Sequence, residues 1–340
     1  MLNYLANKNY IITLVLEKKQ GIFLNDLDKR IKIIQYAPSK SNNIIIRKSI
    51  NLLKRVLFMV RYKNRFDFSA SYATYSKMAS FVARIASKNR ILWGHADYLE
   101  LFKGNKEKAK EFFNELHYEK FRKIVFVSKK ACESFISIYP NAKDKVIFCN
   151  NLIDYKKIET LSSENIEEKK TTYTFVNVGR HDEIQKRLTR IIEAAQKLKE
   201  DNLNFKIFFI GEGKDTENYK NIVKKLEIQK EIVFIGLKKN PYPYMKFSDS
   251  IILSSDYEGY PLVFLEALIL NKPIITTNVA DALDDIHNRY GKVVDKTTED
   301  LYRAMKQFIE YGYDINCKFD VEEYNREIIE KLENLIENRI

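Results

Sequence analysis

Short, nearly continuous apolar runs alternate along the chain with longer stretches in which apolar residues recur every three to four positions. The first pattern predicts strands buried on both faces, and the second predicts helices that cover them. Strands are expected at residues 11–16, 31–35, 91–94, 124–128 and 145–148, then at 173–178, 206–210, 232–235, 250–254 and 273–276. Helical patterns lie between them, as at 188–198 and 217–226. The alternation predicts parallel sheets built from βαβ units, an α/β class.

A chain of 340 residues is long for one domain and suits two. The polar stretch 159–171 lacks a strong period and reads as a linker, giving a first domain at 1–158 and a second at 172–317. The last segment, 318–340, carries Tyr324, Ile328, Leu332 and Leu335 at helical spacing and could cross back to the first domain.

Composition narrows the function classes. The cysteines Cys132, Cys149 and Cys317 are too scattered for a disulfide frame or a metal knuckle, which fits a reducing cytoplasm. No apolar run reaches the ~18 residues that read as a membrane span. The formal net charge of +12 attracts anionic partners, though a solvated Lys-rich surface produces the same surplus. Between Ser41 and Phe66 there is no acid. Arg47, Lys54 and Arg61 recur every seven residues with Lys48 and Arg55 beside them, while Ile46, Ile50, Leu53, Leu57 and Val60 form another side. This basic amphipathic helix reads either as a docking element for anionic lipid or as a core-packed helix with a solvated basic face. No recognition motif accompanies the charge, so nucleic acid is not expected.

Candidate chemistry gathers in the second half. The segment from Ser254 to Leu268 runs from the end of a buried strand into a helix near Pro261, the place where parallel α/β sheets hold ligands. Glu266 sits among Leu262, Val263, Ile269 and Leu270, and a carboxylate on an apolar face needs a partner such as ribose hydroxyls. Glu258 precedes Gly259 just outside the helix; by itself it reads as a loop acid near a helix N-terminus. Earlier, the strand at 173–178 ends in Gly179-Arg180-His181, with Lys186 six residues after Arg180. Fixed cations there could stabilise a diphosphate leaving group. In the first half, the strand at 91–94 ends at His95, followed by Asp97. The other three histidines read as lying in more polar surroundings.

Glu258, seven residues, then Glu266, with Gly259-Tyr260-Pro261 between, resembles the E-x7-E signature of family 4 glycosyltransferases, the retaining GT-B enzymes of capsule, exopolysaccharide and lipopolysaccharide synthesis. The resemblance covers nearly the whole chain after Tyr10, and Val125 to Ser128 and Asn150 to Asp154 resemble further family segments. It implies a GT-B fold, two Rossmann-like domains with parallel sheets facing across a cleft. It implies that Glu258 contacts the donor sugar, that Glu266 holds the ribose, and that backbone N–H groups of Gly259, Tyr260, Leu262 and Val263 face sugar and diphosphate. Arg180 and Lys186 would clamp the diphosphate with no metal and no cofactor. His95 would face the donor sugar, with Asp97 orienting it or binding acceptor. Arg187 departs from the family pattern, which has Gly after the Lys. The partners implied are a nucleotide-sugar donor, a UDP-sugar by preference, and a lipid-linked or saccharide acceptor, at the cytoplasmic side of the plasma membrane.

Three other readings compete. Asp26-Leu27-Asp28 fits the Asp-x-Asp metal site of GT-A transferases, a pattern common by chance. Gly211-Glu212-Gly213 lacks the third glycine of a dinucleotide fingerprint and reads as a turn after a strand. A catalytically impaired donor-binding or scaffold protein of the same fold is the non-enzyme alternative. The last finds support at the start of the chain. Family members open with an apolar strand and a Gly-rich loop, whereas Met1 to Leu5 resembles the second half of the helix that follows. The expectation is a gap in the middle of the first sheet, from either an upstream true start or a weakened form.

Overall fold

The computed structural model describes residues 1–340 except 73–75 and 316, and gives no side-chain account of residues 22 and 23. The chain forms two compact units, one of Met1–Val127, Cys132–Leu152 and Ile328–Ile340, the other of Ser128–Ala131 and Ile153–Glu327.

In the first unit, β1 (Thr13–Leu16) pairs in parallel with β2 (Lys32–Gln35) and, among the described residues, with no other strand. A separate parallel sheet has the order β3 (Ser69–Ser71), β4 (Arg90–Gly94), β5 (Lys123–Phe126) and β6 (Val146–Phe148). The expected interruption of the first sheet is therefore present: among the described residues no strand joins β1 to β3. The core of this unit is aromatic. Phe113 meets Tyr98 at 5.1 Å, Phe112 at 5.3 Å and Phe135 at 4.8 Å, mostly edge to face. The second half of the Val321–Ile336 helix belongs here. Arg122 Nη2 donates to the Leu335 carbonyl at 2.9 Å, and Asn89 Nδ2 donates to that of Ile336 at the same distance.

The second unit holds one six-stranded parallel sheet: β7 (Tyr173–Val178), β8 (Phe205–Ile210), β9 (Ile232–Gly236), β10 (Ser250–Leu253), β11 (Ile274–Thr277) and β12 (Gly291–Val294), in the order β12-β11-β10-β7-β8-β9. The chain winds outward from β7 through β8 to β9, then returns to β10 on the other side of β7 and winds outward again. The order thus reverses between β7 and β10, which pair through Ser250–Phe175 and Ile251–Val176. Helices Leu188–Glu200 and Thr298–Tyr311 cover one face, burying Ile191, Leu198, Leu301 and Phe308 against Phe175, Ile207 and Ile275.

The structure alters several element boundaries. The first strand starts at Thr13, not residue 11, and Ile11 is exposed. The apolar pattern does not mark β3 and β12, because Ser69-Ala70-Ser71 and Gly291-Lys292-Val293-Val294 carry too little apolar run. The stretch read as a linker from residue 159 begins inside a helix, Tyr155–Leu161, which Asp154 caps by accepting from Lys157 N at 3.2 Å.

Truncating the aromatic hub tests the first core. Phe113→Ala should lower stability by about 3–5 kcal/mol, measured by urea unfolding, because a fully buried ring leaves a cavity.

Candidate functional site

The site in the second unit follows from the reversal of strand order, because the loops after β7 and β10 leave neighbouring strand ends. The loop after β7 is held tightly. Gly179 N donates to Ile210 O at 3.0 Å and His181 N to Glu212 O at 3.1 Å, extending the β7–β8 pairing past the strands. A Cβ on Gly211 would lie 1.9 Å from the Gly179 carbonyl oxygen, and one on Gly213 would lie 2.1 Å from that of His181. Both glycines are thus required by close backbone approach, which sets the path of Arg180. Asp182 then turns the chain, accepting from Ile184 N at 2.9 Å, while Lys186 N donates to the Asp182 carbonyl at 2.7 Å.

Lys186 reaches the loop after β10. Its Nζ donates to Glu258 Oε1 at 2.6 Å, with the two side chains 18% and 9% exposed. Ser255 Oγ donates to the same oxygen at 2.7 Å, and Gln185 Nε2 to Oε2 at 3.3 Å. Arg180 Nη2 donates to Gln185 Oε1 at 3.3 Å. The structure therefore links Arg180, Lys186 and Glu258 through Gln185, a residue the sequence reading did not single out. Ser254 Oγ donates to the Lys186 and Arg187 carbonyls at 2.8 and 2.9 Å, tying the two loops together. Beneath them Arg190 donates to the Ser254 carbonyl and, at 2.9 Å, to Asp256 Oδ1.

Arg187 occupies the place where the family pattern has Gly, and its φ of 51° and ψ of 46° lie in the left-handed region. That is a conformation glycine adopts at little cost. A non-glycine residue there carries roughly 1–2 kcal/mol of strain. Ion pairs from its guanidinium to Glu183 at 3.0 Å and Asp256 at 3.5 Å oppose that strain.

The Leu262–Ile269 helix opens at Pro261 with no side-chain cap, so the N–H groups of its first turn, Leu262 and Val263 among them, are aimed where an anion could lie. Gly259 and Tyr260 are buried just before it, and the Tyr260 hydroxyl is turned away to donate to Asp285 at 3.0 Å. Glu266, one turn further on, accepts from the Tyr242 hydroxyl at 3.2 Å. Burial of its carboxylate pushes its pKa up, with the Tyr242 hydrogen bond opposing. Glu266 thus has its own partner and is not hydrogen-bonded into the Lys186–Glu258 group. Tyr242, on a different helix, had no sequence signal.

In the first unit, Trp93 and His95 project from one face of β4, with ring centroids 6.3 Å apart and nearly parallel, and the Tyr72 ring lies 4.2 Å from His95. Ser71 Oγ, Trp93 Nε1 and His95 Nε2 are buried without hydrogen-bond partners among the described residues. Unpaired buried polar atoms are costly, and three at the ends of adjacent strands form a natural place for a polar ligand. Burial lowers the His95 pKa to about 4, so its imidazole is neutral near pH 7. Asp97 is accounted for as a helix cap: Oδ1 accepts from Leu99 N and Glu100 N at 3.0 and 3.1 Å, and Oδ2 from Ser134 Oγ at 2.8 Å. These bonds fix the carboxylate at the start of the short helix that follows β4. The surroundings of the other histidines need correction. His181 is wholly buried, 5.8 Å from the Tyr219 ring and 6.0 Å from that of Phe234, with Nδ1 2.9 Å from Thr216 Oγ1.

Residues 142–333 match the family model described as glycosyl transferases group 1. An uncharacterised glycosyltransferase of Methanocaldococcus jannaschii is 28% identical over 59% of this chain and 54% of its own length. A Campylobacter jejuni enzyme is 25% identical over the same shares; its name is N-acetylgalactosamine-N,N'-diacetylbacillosaminyl-diphospho-undecaprenol 4-alpha-N-acetylgalactosaminyltransferase. The matched region therefore spans 54% of the length of each of these two relatives. Among solved structures, the Anabaena protein HepE in complex with UDP-glucose aligns with a TM-score of 0.71 at 15% identity, covering 95% of this chain and 91% of that one. WaaG, a glycosyltransferase involved in lipopolysaccharide biosynthesis, aligns at 0.68 and 16%, covering 99% and 92%. The fold is thus GT-B.

Two outcomes test this geometry. Arg187→Gly should be more stable than Arg187→Ala by about 1 kcal/mol in urea melts, since both lose the ion pairs and only Gly relieves the strain. Because the His95 pKa is depressed in the folded state, its contribution to stability is full above its unfolded value of ~6.5 and is lost as pH falls toward about 4. The His95→Gln variant should lose stability less steeply across that window, while buried His181 keeps part of the slope.

Proposed function

The chain belongs to the glycosyl transferases group 1 family, and from that premise we propose that it is a retaining, metal-independent glycosyltransferase of cell-surface polysaccharide synthesis. Its donor is a nucleoside-diphosphate sugar, by preference a UDP-sugar, and its acceptor a lipid-linked or free saccharide presented at the inner face of the plasma membrane. The observation that carries the reading is the Lys186–Glu258 contact at 2.6 Å, reached from two loops that leave the sheet where its strand order reverses. The names of the Campylobacter and Anabaena proteins support the acceptor and donor classes.

In this mechanism the acceptor oxygen forms its bond to the anomeric carbon from the face that the diphosphate leaves. The anomeric C–O bond breaks with its electrons going to the diphosphate, and the acceptor proton passes to a diphosphate oxygen. Arg180 and Lys186 stabilise the charge that gathers there, each worth about 10²–10³ in rate. Glu258 accepts from sugar hydroxyls, and Glu266, held by Tyr242, accepts from the ribose. A neutral His95 hydrogen-bonds the sugar without adding charge.

The test is nucleotide release by the full chain from a panel of nucleotide sugars, with NMR of the product anomer. Lys186→Ala should lower kcat by about 10²–10³. The same variant should lose some stability as well, because it leaves the Glu258 carboxylate short of a partner. EDTA should leave turnover unchanged. Loss of activity on chelation, restored by manganese, would favour the metal-dependent class instead.

A further inference from the structure

The helix Ile44–Tyr62 is oriented the opposite way from an ordinary core-packed amphipathic helix. Its inward face is narrow and partly polar. Phe58 alone is buried, packed 5.0 Å from Tyr36 and 6.1 Å from Phe81. Asn51 Oδ1 accepts from Ser39 N at 2.6 Å, and Lys54 Nζ donates to the Ala37 carbonyl at 2.9 Å. The apolar row that periodicity marks points outward instead, with Ile46 50% exposed, Leu53 60%, Leu57 59% and Val60 77%, and Ile45 and Leu52 beside it are 72% and 63% exposed. At 3.6 residues per turn they form one broad arc on the side of the helix away from Phe58. The cations fall between that stripe and the inward face, Arg47, Lys54 and Arg61 on one side and Lys48 and Arg55 on the other; Lys54 turns inward to Ala37 and the Arg55 guanidinium lies 5.4 Å from the Phe81 ring, leaving Arg47, Lys48 and Arg61 exposed. No acid lies between Ser41 and Phe66.

We infer that this helix lies in the plane of an anionic bilayer surface, with its outward apolar stripe inserted among the acyl chains and its flanking cations at the headgroups. A contiguous exposed apolar stripe on a single helix marks an interaction surface. Cations on both borders, with no acid among them, fit a sheet of lipid phosphates above and beside the stripe. Among the described residues no helix is long and apolar enough to cross a membrane, so this mode is interfacial. The inference deepens the proposed work on an acceptor at a membrane by naming the surface that would hold the enzyme there.

The experiment is cosedimentation of the full chain with vesicles of phosphatidylcholine, alone or with phosphatidylglycerol. The wild type should bind the anionic vesicles. Combined Ile45→Gln, Leu52→Gln and Val60→Gln should abolish binding without changing charge. Combined Arg47→Gln, Lys48→Gln and Arg61→Gln should weaken binding to anionic vesicles by roughly a hundredfold, about fivefold per cation. A reporter reads insertion directly: the chain has one tryptophan, buried Trp93, so Leu52→Trp adds an exposed one whose emission should shift to the blue on anionic vesicles. This single exposed substitution also decides the matter if a triple variant fails to fold. Vesicle binding that survives loss of the stripe, or unmoved emission from Leu52→Trp, overturns the inference. So does self-association that the stripe variant removes in the absence of vesicle binding, which assigns the face to a second copy. Turnover with a water-soluble acceptor is read in parallel: vesicle binding without any nucleotide release keeps this inference and removes the transferase reading.

Discussion

The second unit is organised by one constraint, the reversal of strand order between β7 and β10. Parallel strands all end on the same edge. Connections on one side of the reversal leave in one direction, and those on the other leave in the opposite direction, so the two loops are not covered by a shared crossover. Arg180 and Lys186 follow β7, and Glu258 and Glu266 follow β10. Residues some seventy positions apart therefore meet without any long loop to order. Ser254 binding the Lys186 and Arg187 carbonyls, and Arg190 binding the Ser254 carbonyl and Asp256, fix the two loops as one body.

That rigidity depends on backbone contacts no side chain could replace. Gly211 and Gly213 allow the β8 loop to lie directly against Gly179 and His181, so the Gly-x-Gly once readable as a nucleotide fingerprint is a packing device for the Arg180 loop. At Arg187 the chain has gone the other way, holding a side chain in a conformation suited to glycine and opposing the strain with two carboxylates.

Most of the second sheet was legible because strands buried on both faces are written as continuous apolar runs; Tyr173–Val178 could be bounded to the residue. The strands that were missed, Ser69–Ser71 and Gly291–Val294, are short and small or polar in part, and are held by neighbours rather than by their own burial pattern. The acids and cations of the site were legible as a motif. Gln185, Ser255 and Tyr242 were not, since their value lies in what they meet across the fold: Tyr242 touches Glu266 from 24 residues away. The helix Ile44–Tyr62 shows a further limit. Periodicity reveals that a helix has two faces, but which face meets the core depends on the neighbouring elements, and here the core takes Phe58 and leaves the longer apolar row outside.

The resting pairing of Lys186 with Glu258 bears on how such a site can select charge. A lone ammonium in a part-buried loop would adopt many positions and be costly to desolvate. Paired at 2.6 Å with Glu258, itself held by Ser255 and Gln185, it is fixed before any ligand arrives. An ammonium has three N–H donors, and the contact with Glu258 engages one of them. The remaining capacity can turn toward phosphate oxygens without breaking the pair. The carboxylate also offsets much of the attraction that a single stray anion would feel. Under the proposed function a diphosphate would bring enough charge to draw on Lys186, Arg180 and the uncapped helix N-terminus together, so the group best stabilised would be one whose negative charge grows at that spot as a bond breaks.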